Sequence, residues 1–258
     1  MNGKTTFTVK LMTLAVVCVL AFGLSGCARS VDPATGMKTS EINDPIEPLN
    51  RGVFAFNDFV DRILIEPIAL IYKAIFPWFV RDGIQNFMHN LEAPLIVANN
   101  LLQGDVRGAG VGIARFVINT TAGVGGLVDA AADMGMPYQK EDFGQTLAVW
   151  GFGDGFYIVL PIIGPSSLRD GVGLAVNSYA DPVRIIAHNK DDDWAYYTRV
   201  AVDGIDTRSR LVDAVRDLRK NSLDYYAAVR SAYAQKRQAL IHDESPGAVP
   251  IPDYDDSR

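Results

Sequence analysis

The most apolar part of the chain after its N-terminal segment is ILIEPIALIYKAIFPWFV, residues 63–80. Its length approaches that of a transmembrane helix, which needs about 20 apolar residues. However, Glu66 and Lys73 would be costly in hydrocarbon, and Pro67 and Pro77 would bend or end a helix. The segment therefore predicts two short apolar helices and not one membrane span.

Shorter apolar segments follow, and none of them is long enough to cross a bilayer alone. They lie at residues 95–102, 111–118, 147–150 and 156–163. Apolar residues make up 48% of the chain, which is a high share for a protein without a spanning helix. The pattern predicts a mostly α-helical domain that is either soluble in water or lies within one membrane leaflet.

The spacing of apolar residues predicts helix over most of residues 44–104 and again over residues 105–121. Breaks are expected at the prolines, which are residues 45, 48, 67, 77 and 94. Gly104, Gly108 and Gly112 recur at every fourth position, and small residues at this spacing let two helices approach closely. A glycine-rich loop is the alternative interpretation of these three residues.

One strand is expected, at Tyr157–Leu160, because its residues are apolar and favour extended backbone. Pro161 ends it. Either Ser166 or Ser167 is expected to cap a helix that runs to about Tyr179.

The N-terminus has the three parts of a secretory signal peptide. Two lysines precede an apolar run over residues 11–24, and two small residues follow it. The sequence Leu24-Ser25-Gly26-Cys27 has the form of a lipobox, which directs lipid attachment to the cysteine and cleavage before it. An ordinary signal with a chance cysteine is the alternative. We predict that residues 1–26 are removed and that Cys27 is lipidated.

The remaining chain divides by composition into three parts. Residues 27–43 are a predicted flexible tether, residues 44–242 hold the helical domain, and residues 243–258 are a predicted disordered acidic tail. Two or three acyl chains on Cys27 would hold the protein permanently at a membrane. Ala28 follows Cys27, and the absence of aspartate at that position favours the outer membrane.

Composition argues against several functions. The chain has 24 basic residues, two of which leave with the signal peptide, against 30 acidic ones, and this balance disfavours nucleic-acid binding. Cys18 also leaves with the signal peptide and Cys27 carries lipid, so no free thiol remains for catalysis or metal binding. The spacing of histidines and carboxylates indicates no zinc site, and no cofactor is predicted.

No catalytic motif is complete in the sequence. Residues 108–112, GAGVG, resemble a dinucleotide loop, but the third glycine is displaced and no predicted strand precedes it. Residues 164–168, GPSSL, lack the second glycine of a serine-hydrolase turn. A triad of Ser166 or Ser167 with His188 is the remaining enzymatic alternative, and we predict that the protein is not an enzyme.

A series of motifs runs in order over roughly residues 44–181. It comprises DPIEPLNR at 44–51, NF at 86–87, NL at 90–91, LLQG at 101–104, RF at 115–116, NT at 119–120, EDFGQTL at 141–147 and GPSSLRD at 164–170. In this order and density the series resembles the MlaA/VacJ family of outer-membrane lipoproteins. One departure is Gly155-Phe156-Tyr157, where the family often has proline between glycine and tyrosine, and this affects only the local turn.

The resemblance implies a fold, an activity and partners. The fold is a ring of short amphipathic helices lying in one leaflet, the periplasmic leaflet of the outer membrane, with an amphipathic channel and at most a minor β element. The activity is removal of mislocalised phospholipid from the outer leaflet, which maintains lipid asymmetry and begins retrograde transport between the membranes. The partners are a porin trimer and the soluble periplasmic carrier MlaC, which receives the phospholipid.

Candidates for the channel or its gate are polar side chains in apolar surroundings, one aromatic residue and a flexible turn. They are Asn50, Arg51, Phe56, Asn57, Asp61, Gly123, Gly125 and Gly126. For the four polar residues, helix capping and buried hydrogen bonds are an equal alternative. For Phe56 the alternative is a place in the core, and for the glycines it is a plain connection.

Two other functions remain open from the sequence. The acidic balance and the C-terminal helices would suit an adaptor lipoprotein that binds a porin without moving lipid. A lipid hydrolase would use Ser166 or Ser167 as its nucleophile.

Overall fold

The computed structural model describes residues 42–242 of the chain. This region is mostly α-helical with one two-stranded sheet, which confirms the predicted helical class with a minor β element. Its helices are α1 (Glu47–Val60), α2 (Glu66–Ile75), α3 (Trp78–Gln103), α4 (Val106–Thr121), α5 (Ala130–Asp133), α6 (Phe143–Val149), α7 (Leu168–Ala180), α8 (Pro182–Asn189), α9 (Asp193–Arg210), α10 (Val212–Asn221) and α11 (Tyr225–Ile241). The signal peptide, Cys27, nearly all of the tether and the acidic tail lie outside the described residues.

The first helices form one continuous run, because a π-helical segment, Asp61–Ile65, joins α1 to α2. The break predicted at Pro67 is therefore wrong. The amide of Glu66 bonds to the carbonyl of Asp61, five residues earlier, which widens this turn. A wider turn relieves the clash between a proline ring and the preceding turn of helix.

Pro77 and Pro94 have opposite effects on the chain. At Pro77 the run ends as predicted: Phe76 is extended, and α3 begins at Trp78 after a bend of 116°. Pro94 lies inside α3, so the break predicted there is wrong. A proline inside a helix costs about 3 kcal/mol, and the extensive packing of α3 on α4 holds the helix through it.

The α3 and α4 helices form an antiparallel hairpin in which glycines permit close approach. A Cβ atom on Gly112 would lie 2.9 Å from a methyl group of Val97, and one on Gly108 would lie 3.0 Å from Cγ of Asn100. The predicted packing role is confirmed for these two glycines. Gly104 instead ends α3 in the left-handed conformation, with φ of 82°.

The sheet is an antiparallel hairpin of β1 (Tyr157–Leu160) and β2 (Gly164–Ser167). The predicted strand is confirmed, but the expectation that it is the only one is wrong. The sequence GPSS has little preference for extended structure, so β2 depends on pairing with β1. Ser167 then caps α7 as predicted, since its hydroxyl accepts a hydrogen bond from the amide of Asp170 at 3.1 Å.

The contact between α6 and α7 provides a test of the packing. A Cβ atom on Gly173 would lie 2.7 Å from Cα of Gly144, which is backbone and cannot move aside. We expect Gly173→Ala to lower the free energy of unfolding by about 1–3 kcal/mol. The matched control is Gly171→Ala on the same helix, whose Cβ would lie 3.4 Å from a methyl group of Ile158. Chemical denaturation in mild detergent measures both, and equal effects would contradict the close approach.

Candidate lipid-contact surface and polar interior

The outer surface of the first helices is apolar. Large side chains there are more than half exposed, including Phe59 at 63%, Ile75 at 64% and Trp78 at 70%. The others are Leu49, Phe56, Ile63, Leu64, Ile71 and Phe79. We call these nine residues the apolar exterior. Large contiguous apolar patches are rare on soluble monomers and mark contact with a protein or a membrane.

Within residues 42–242, no single helix is long and apolar enough to cross a membrane. The run Glu47–Ile75 together with α3 meets both criteria only as a pair bent by 116°. The predicted division of residues 63–80 into two helices at Pro77 is confirmed, but the expectation that both are short is wrong, because the first belongs to the run Glu47–Ile75 and the second begins the 26-residue helix α3.

The interior of the described region is unusually polar. Among its buried side chains, 16 are polar or charged and 11 are apolar. Five of the polar ones lie on α3 and α4: Asn90, Asn99, Asn100, Arg115 and Asn119. Each of them makes at least one hydrogen bond within the fold: Asn90, for example, donates to the hydroxyl of Thr120 at 3.0 Å, although its own Oδ1 has no partner. The molecule thus reverses the polarity of a soluble protein, whose large apolar side chains are mostly inside.

Asn50 and Asn57 hold the hairpin against α1 through their side-chain amides. Asn50 donates to the carbonyl of Tyr157 and accepts from the amide of Val159, both at 2.9 Å. Asn57 makes the same two kinds of bond to residues three positions further along the hairpin. It donates to the carbonyl of Leu160 at 2.9 Å and accepts from the amide of Ile162 at 2.8 Å. The amide of Asn50 therefore occupies the place of a residue in a neighbouring strand, whereas the amide of Asn57 holds the end of β1 and the turn after it.

The geometry of helix and strand explains this match. Seven residues of α-helix rise about 10.5 Å, and three residues of strand span about 10 Å. Two asparagines on one face of α1, two turns apart, therefore meet sites three residues apart along the hairpin, one on β1 and one at its end and in the turn that follows. Asn50 is only 2% exposed, and these contacts correspond to the buried hydrogen bonds weighed as an alternative to a channel role.

Arg51 and Phe56, two other candidate channel residues, lie at the surface of the protein. Arg51 is exposed and pairs with Glu47 at 2.7 Å and with Asp224 at 2.6 Å. Its hydrogen bond lowers the pKa of Asp224 to about 2. Phe56 is 52% exposed and belongs to the apolar exterior, not to the core.

The glycine turn is packed against α3. Gly123 and Gly126 are buried and Gly125 is exposed. The amide of Gly126 donates to the carbonyl of Asn119 at 2.8 Å, and a Cβ atom on Gly126 would lie 2.7 Å from Cβ of Asn90. The structure does not bring this turn into contact with the asparagine pair on α1, and its role as a gate stays a prediction.

A charged cluster joins the first helices to α9 and α10. Asp61 accepts hydrogen bonds from Arg208 at 2.7 and 2.8 Å and from Arg219 at 3.0 Å. Glu66 is 8% exposed and pairs with both arginines and with Arg216. Sequence analysis missed these arginines, which lie at least 142 residues further along the chain. The charge of Glu66 in an apolar segment was the available signal, because a buried carboxylate needs a cation.

A second, partly buried pair joins α6 to α11. Arg237 donates two hydrogen bonds to the carboxylate of Asp142, at 2.6 and 2.7 Å. Burial opposes ionisation of Asp142, but these bonds outweigh it and lower its pKa below the ordinary value. Asp142 also caps α6 by accepting from the amide of Gln145 at 3.0 Å.

The residues of the enzymatic alternative are not arranged for catalysis. Ser166 donates to the carbonyl of Ser167 at 3.3 Å, and Ser167 caps α7. His188 is on α8, and its side chain is 78% exposed beside Asp193. Within residues 42–242, no group of three or more His, Cys, Asp or Glu side chains is placed to hold a metal ion.

The fold and its surfaces define a helical protein with many exposed large apolar side chains and a mostly polar set of buried ones, a combination that suits contact with lipid. The family model described as MlaA lipoprotein matches residues 42–240. The chain belongs to this family, and the resemblance noted in the sequence is confirmed.

Relatives from several bacteria match most of the chain. The intermembrane phospholipid transport system lipoprotein MlaA of Escherichia coli is 32% identical over 241 residues, which cover 89% of this chain and 91% of that protein. An uncharacterized protein of Rickettsia felis is 38% identical over 202 residues, covering 78% and 79% of the two chains. A solved structure from work on the structural basis for maintenance of bacterial outer membrane lipid asymmetry matches with a TM-score of 0.68 and 34% identity. That match covers 77% of this chain and 99% of the solved one.

The asparagine contacts predict a large effect of one substitution. Asn50→Ala leaves the buried amide of Val159 and the carbonyl of Tyr157 without partners, and we expect it to lower the free energy of unfolding by roughly 3 kcal/mol. Asn86→Ala is the control, because that amide makes only an exposed contact of 3.3 Å to the carbonyl of Leu127. Denaturation followed by circular dichroism measures both. A cost for Asn50→Ala no larger than that of the control would refute the role in holding β1.

The Asp142–Arg237 pair predicts a pH dependence. Because the folded pKa of Asp142 is lowered, its stabilisation is present above the unfolded pKa of about 3.9 and is lost as pH falls through the folded value. Asp142→Asn retains a capping oxygen but not the charge, and should cost roughly 1.5–3 kcal/mol at neutral pH. The difference in unfolding free energy between wild type and variant should shrink as the solution is acidified. A difference independent of pH would contradict the assignment.

Proposed function

We propose that this protein removes phospholipid from the outer leaflet of the outer membrane and delivers it to the periplasmic side, which maintains the lipid asymmetry of that membrane. Membership of the MlaA lipoprotein family and the name of the Escherichia coli relative support this proposal. The main observation behind it is the reversed polarity of the fold, in which nine large apolar side chains of the first helices are exposed and most buried side chains are polar or charged.

The physical task is to move a polar headgroup past hydrocarbon. An unpaired polar group costs roughly 2–7 kcal/mol on leaving water, and this cost is a barrier to unassisted crossing. We infer that the helices lie among the acyl chains of the periplasmic leaflet, where helices can pair their own backbone groups. The headgroup would cross between the helices while the acyl tails stay in the bilayer. No bond is broken, so no catalytic residue is proposed.

The candidate residues would take different parts in this passage. The side-chain amides of Asn50 and Asn57 are bonded to the backbone of the hairpin, and Asp61 is paired with two arginines. These three residues would therefore shape the passage without binding a headgroup directly. Arg51 is exposed at the start of α1 and could contact a phosphate by exchanging its carboxylate partners. The turn at residues 123–126 remains a candidate gate.

The N-terminus would deliver the domain to its membrane. In this proposal residues 1–26 are cleaved, Cys27 carries the lipid, residues 27–43 form the tether and the acidic tail begins at residue 243. The lipid would mainly direct sorting, because the apolar exterior supplies a second attachment. A porin trimer and the soluble carrier MlaC are the proposed partners.

Gene deletion tests the function. We expect a deletion strain to accumulate phospholipid in the outer leaflet, because nothing removes it, and the wild-type gene should restore the normal level. Cys27→Ser should fail to restore it through loss of sorting, whereas the surface control Asn86→Ala should succeed. Extraction of lipid labelled at the cell surface measures the outcome. An unchanged outer leaflet in the deletion strain would refute the proposal.

A reconstitution separates transport from an adaptor role. The purified protein is placed in vesicles with labelled phosphatidylethanolamine, and MlaC is added outside. Transport predicts lipid on the carrier, and an adaptor predicts none. Purified Cys27→Ser protein should still partition into detergent, and full solubility in water would contradict an embedded domain.

A further inference from the structure

The turn between the two strands is an exposed apolar tip with an unfavourable backbone. We call residues 161–163, Pro-Ile-Ile, the hairpin tip. Ile162 has φ of +67° and is 67% exposed, and Ile163 is 64% exposed. The left-handed conformation is rare and costly for a β-branched residue, whereas glycine or asparagine adopts it readily. The turn itself therefore does not require isoleucine at position 162.

A second exposed residue shares this combination. Val124, in the glycine turn, has φ of +54° and is also 67% exposed. Among the described residues, the remaining non-glycine with positive φ is Asp191, a residue type that tolerates this conformation. Both unfavourable positions thus present an apolar side chain outward, which points to a contact outside the chain.

The backbone of the hairpin tip can leave water at little cost. Pro161 and Pro165 have no amide hydrogen. The amide of Ile162 donates to Oδ1 of Asn57 at 2.8 Å, and the amide of Ile163 donates to the carbonyl of Pro161 at 2.8 Å. These donors are satisfied within the protein, which meets the part of the requirement for backbone in hydrocarbon that concerns amide groups. A turn that faces water has no such need.

The hairpin tip also adjoins the apolar exterior. Asn57, which holds Ile162, lies on α1 next to Phe56 and two residues before Phe59. Phe56 and Phe59 are 52% and 63% exposed. The hairpin tip is therefore held beside the part of α1 that carries Phe56 and Phe59.

We propose that the hairpin tip inserts among the acyl chains of the bilayer, with Ile162 and Ile163 as its lipid contacts. Asn57 makes this possible because its side-chain oxygen satisfies the amide that would otherwise face hydrocarbon. The proposal rests on the membrane setting of the proposed function and not on transport itself. It assigns a role in membrane contact to the β element of a largely helical domain.

Site-directed spin labelling tests this proposal in the lipidated protein. The sulfur of Cys27 is blocked by lipid, so a new cysteine is the only free thiol, and absence of labelling in the wild type verifies this. The label is placed by Ile163→Cys, with Phe59→Cys as the apolar control and Asp217→Cys, on an exposed site of α10, as the aqueous control. The proteins are reconstituted in vesicles of phosphatidylethanolamine and phosphatidylglycerol.

Collisions with oxygen report hydrocarbon, and collisions with a water-soluble nickel chelate report water. We expect the label at residue 163 to match that at residue 59, with high oxygen and low chelate accessibility. A label at residue 163 that matches residue 217, while residue 59 reports lipid, would overturn the proposal and leave the proposed function intact. Shielding of residue 163 from both reagents would indicate protein contact and would also overturn it.

Substitution of the strained residue gives an independent test. Ile162→Asn suits the left-handed backbone, so the melting temperature in detergent should stay the same or rise. In the same variant the label at residue 163 should become more accessible to the chelate. A lower melting temperature would mean that Ile162 packs within the fold, and this result would overturn the proposal.

Discussion

The two side-chain amides of Asn50 and Asn57 set the relation between the first helix and the hairpin. Asn50 takes the place of a residue in a neighbouring strand and Asn57 holds the end of β1 and the turn after it, because two helical turns match three strand residues in length. A two-stranded sheet is marginal alone, so β1 and β2 depend on this support. Through Ser167 the hairpin starts α7, and through the close approach of Gly173 to Gly144 it positions α6.

The same principle of internal pairing extends through the polar interior. Glu66 and Asp61 would be costly in an apolar segment, but arginines from α9 and α10 neutralise them. Asp142 and Arg237 form a similar ion pair between α6 and α11. Charged and polar side chains thus pair inside the fold, while large apolar side chains are exposed on its outer surface. This division is opposite to that of a soluble domain, and in the proposed function it would let bent helices contact lipid without any one of them spanning the bilayer.

A fold of this kind suits a task in which one molecule has both apolar and polar parts. Acyl chains match the apolar exterior, whereas a headgroup needs polar surroundings to cross hydrocarbon. Membership of the MlaA lipoprotein family is consistent with this physical reading. The proposed roles of the hairpin tip and of Cys27 are then complementary: the lipid brings the domain to the membrane, and the apolar surfaces determine how it lies there.

The helical class, the strand at Tyr157–Leu160, the break at Pro77 and the cap at Ser167 followed from local sequence, because each depends on a few neighbouring residues. The family followed from ordered motifs. The continuity of the helices through Pro67 and Pro94 did not follow from local sequence. A π-helical turn at the first proline and packing on α4 at the second outweigh the local preference of proline for ending a helix. The long-range hydrogen bonds of Asn50, Asn57 and Asp61 did not follow from local sequence either, because these partners lie more than 100 residues away. Whether a polar side chain holds the fold or faces a passage depends on those distant partners, and only the tertiary structure specifies them.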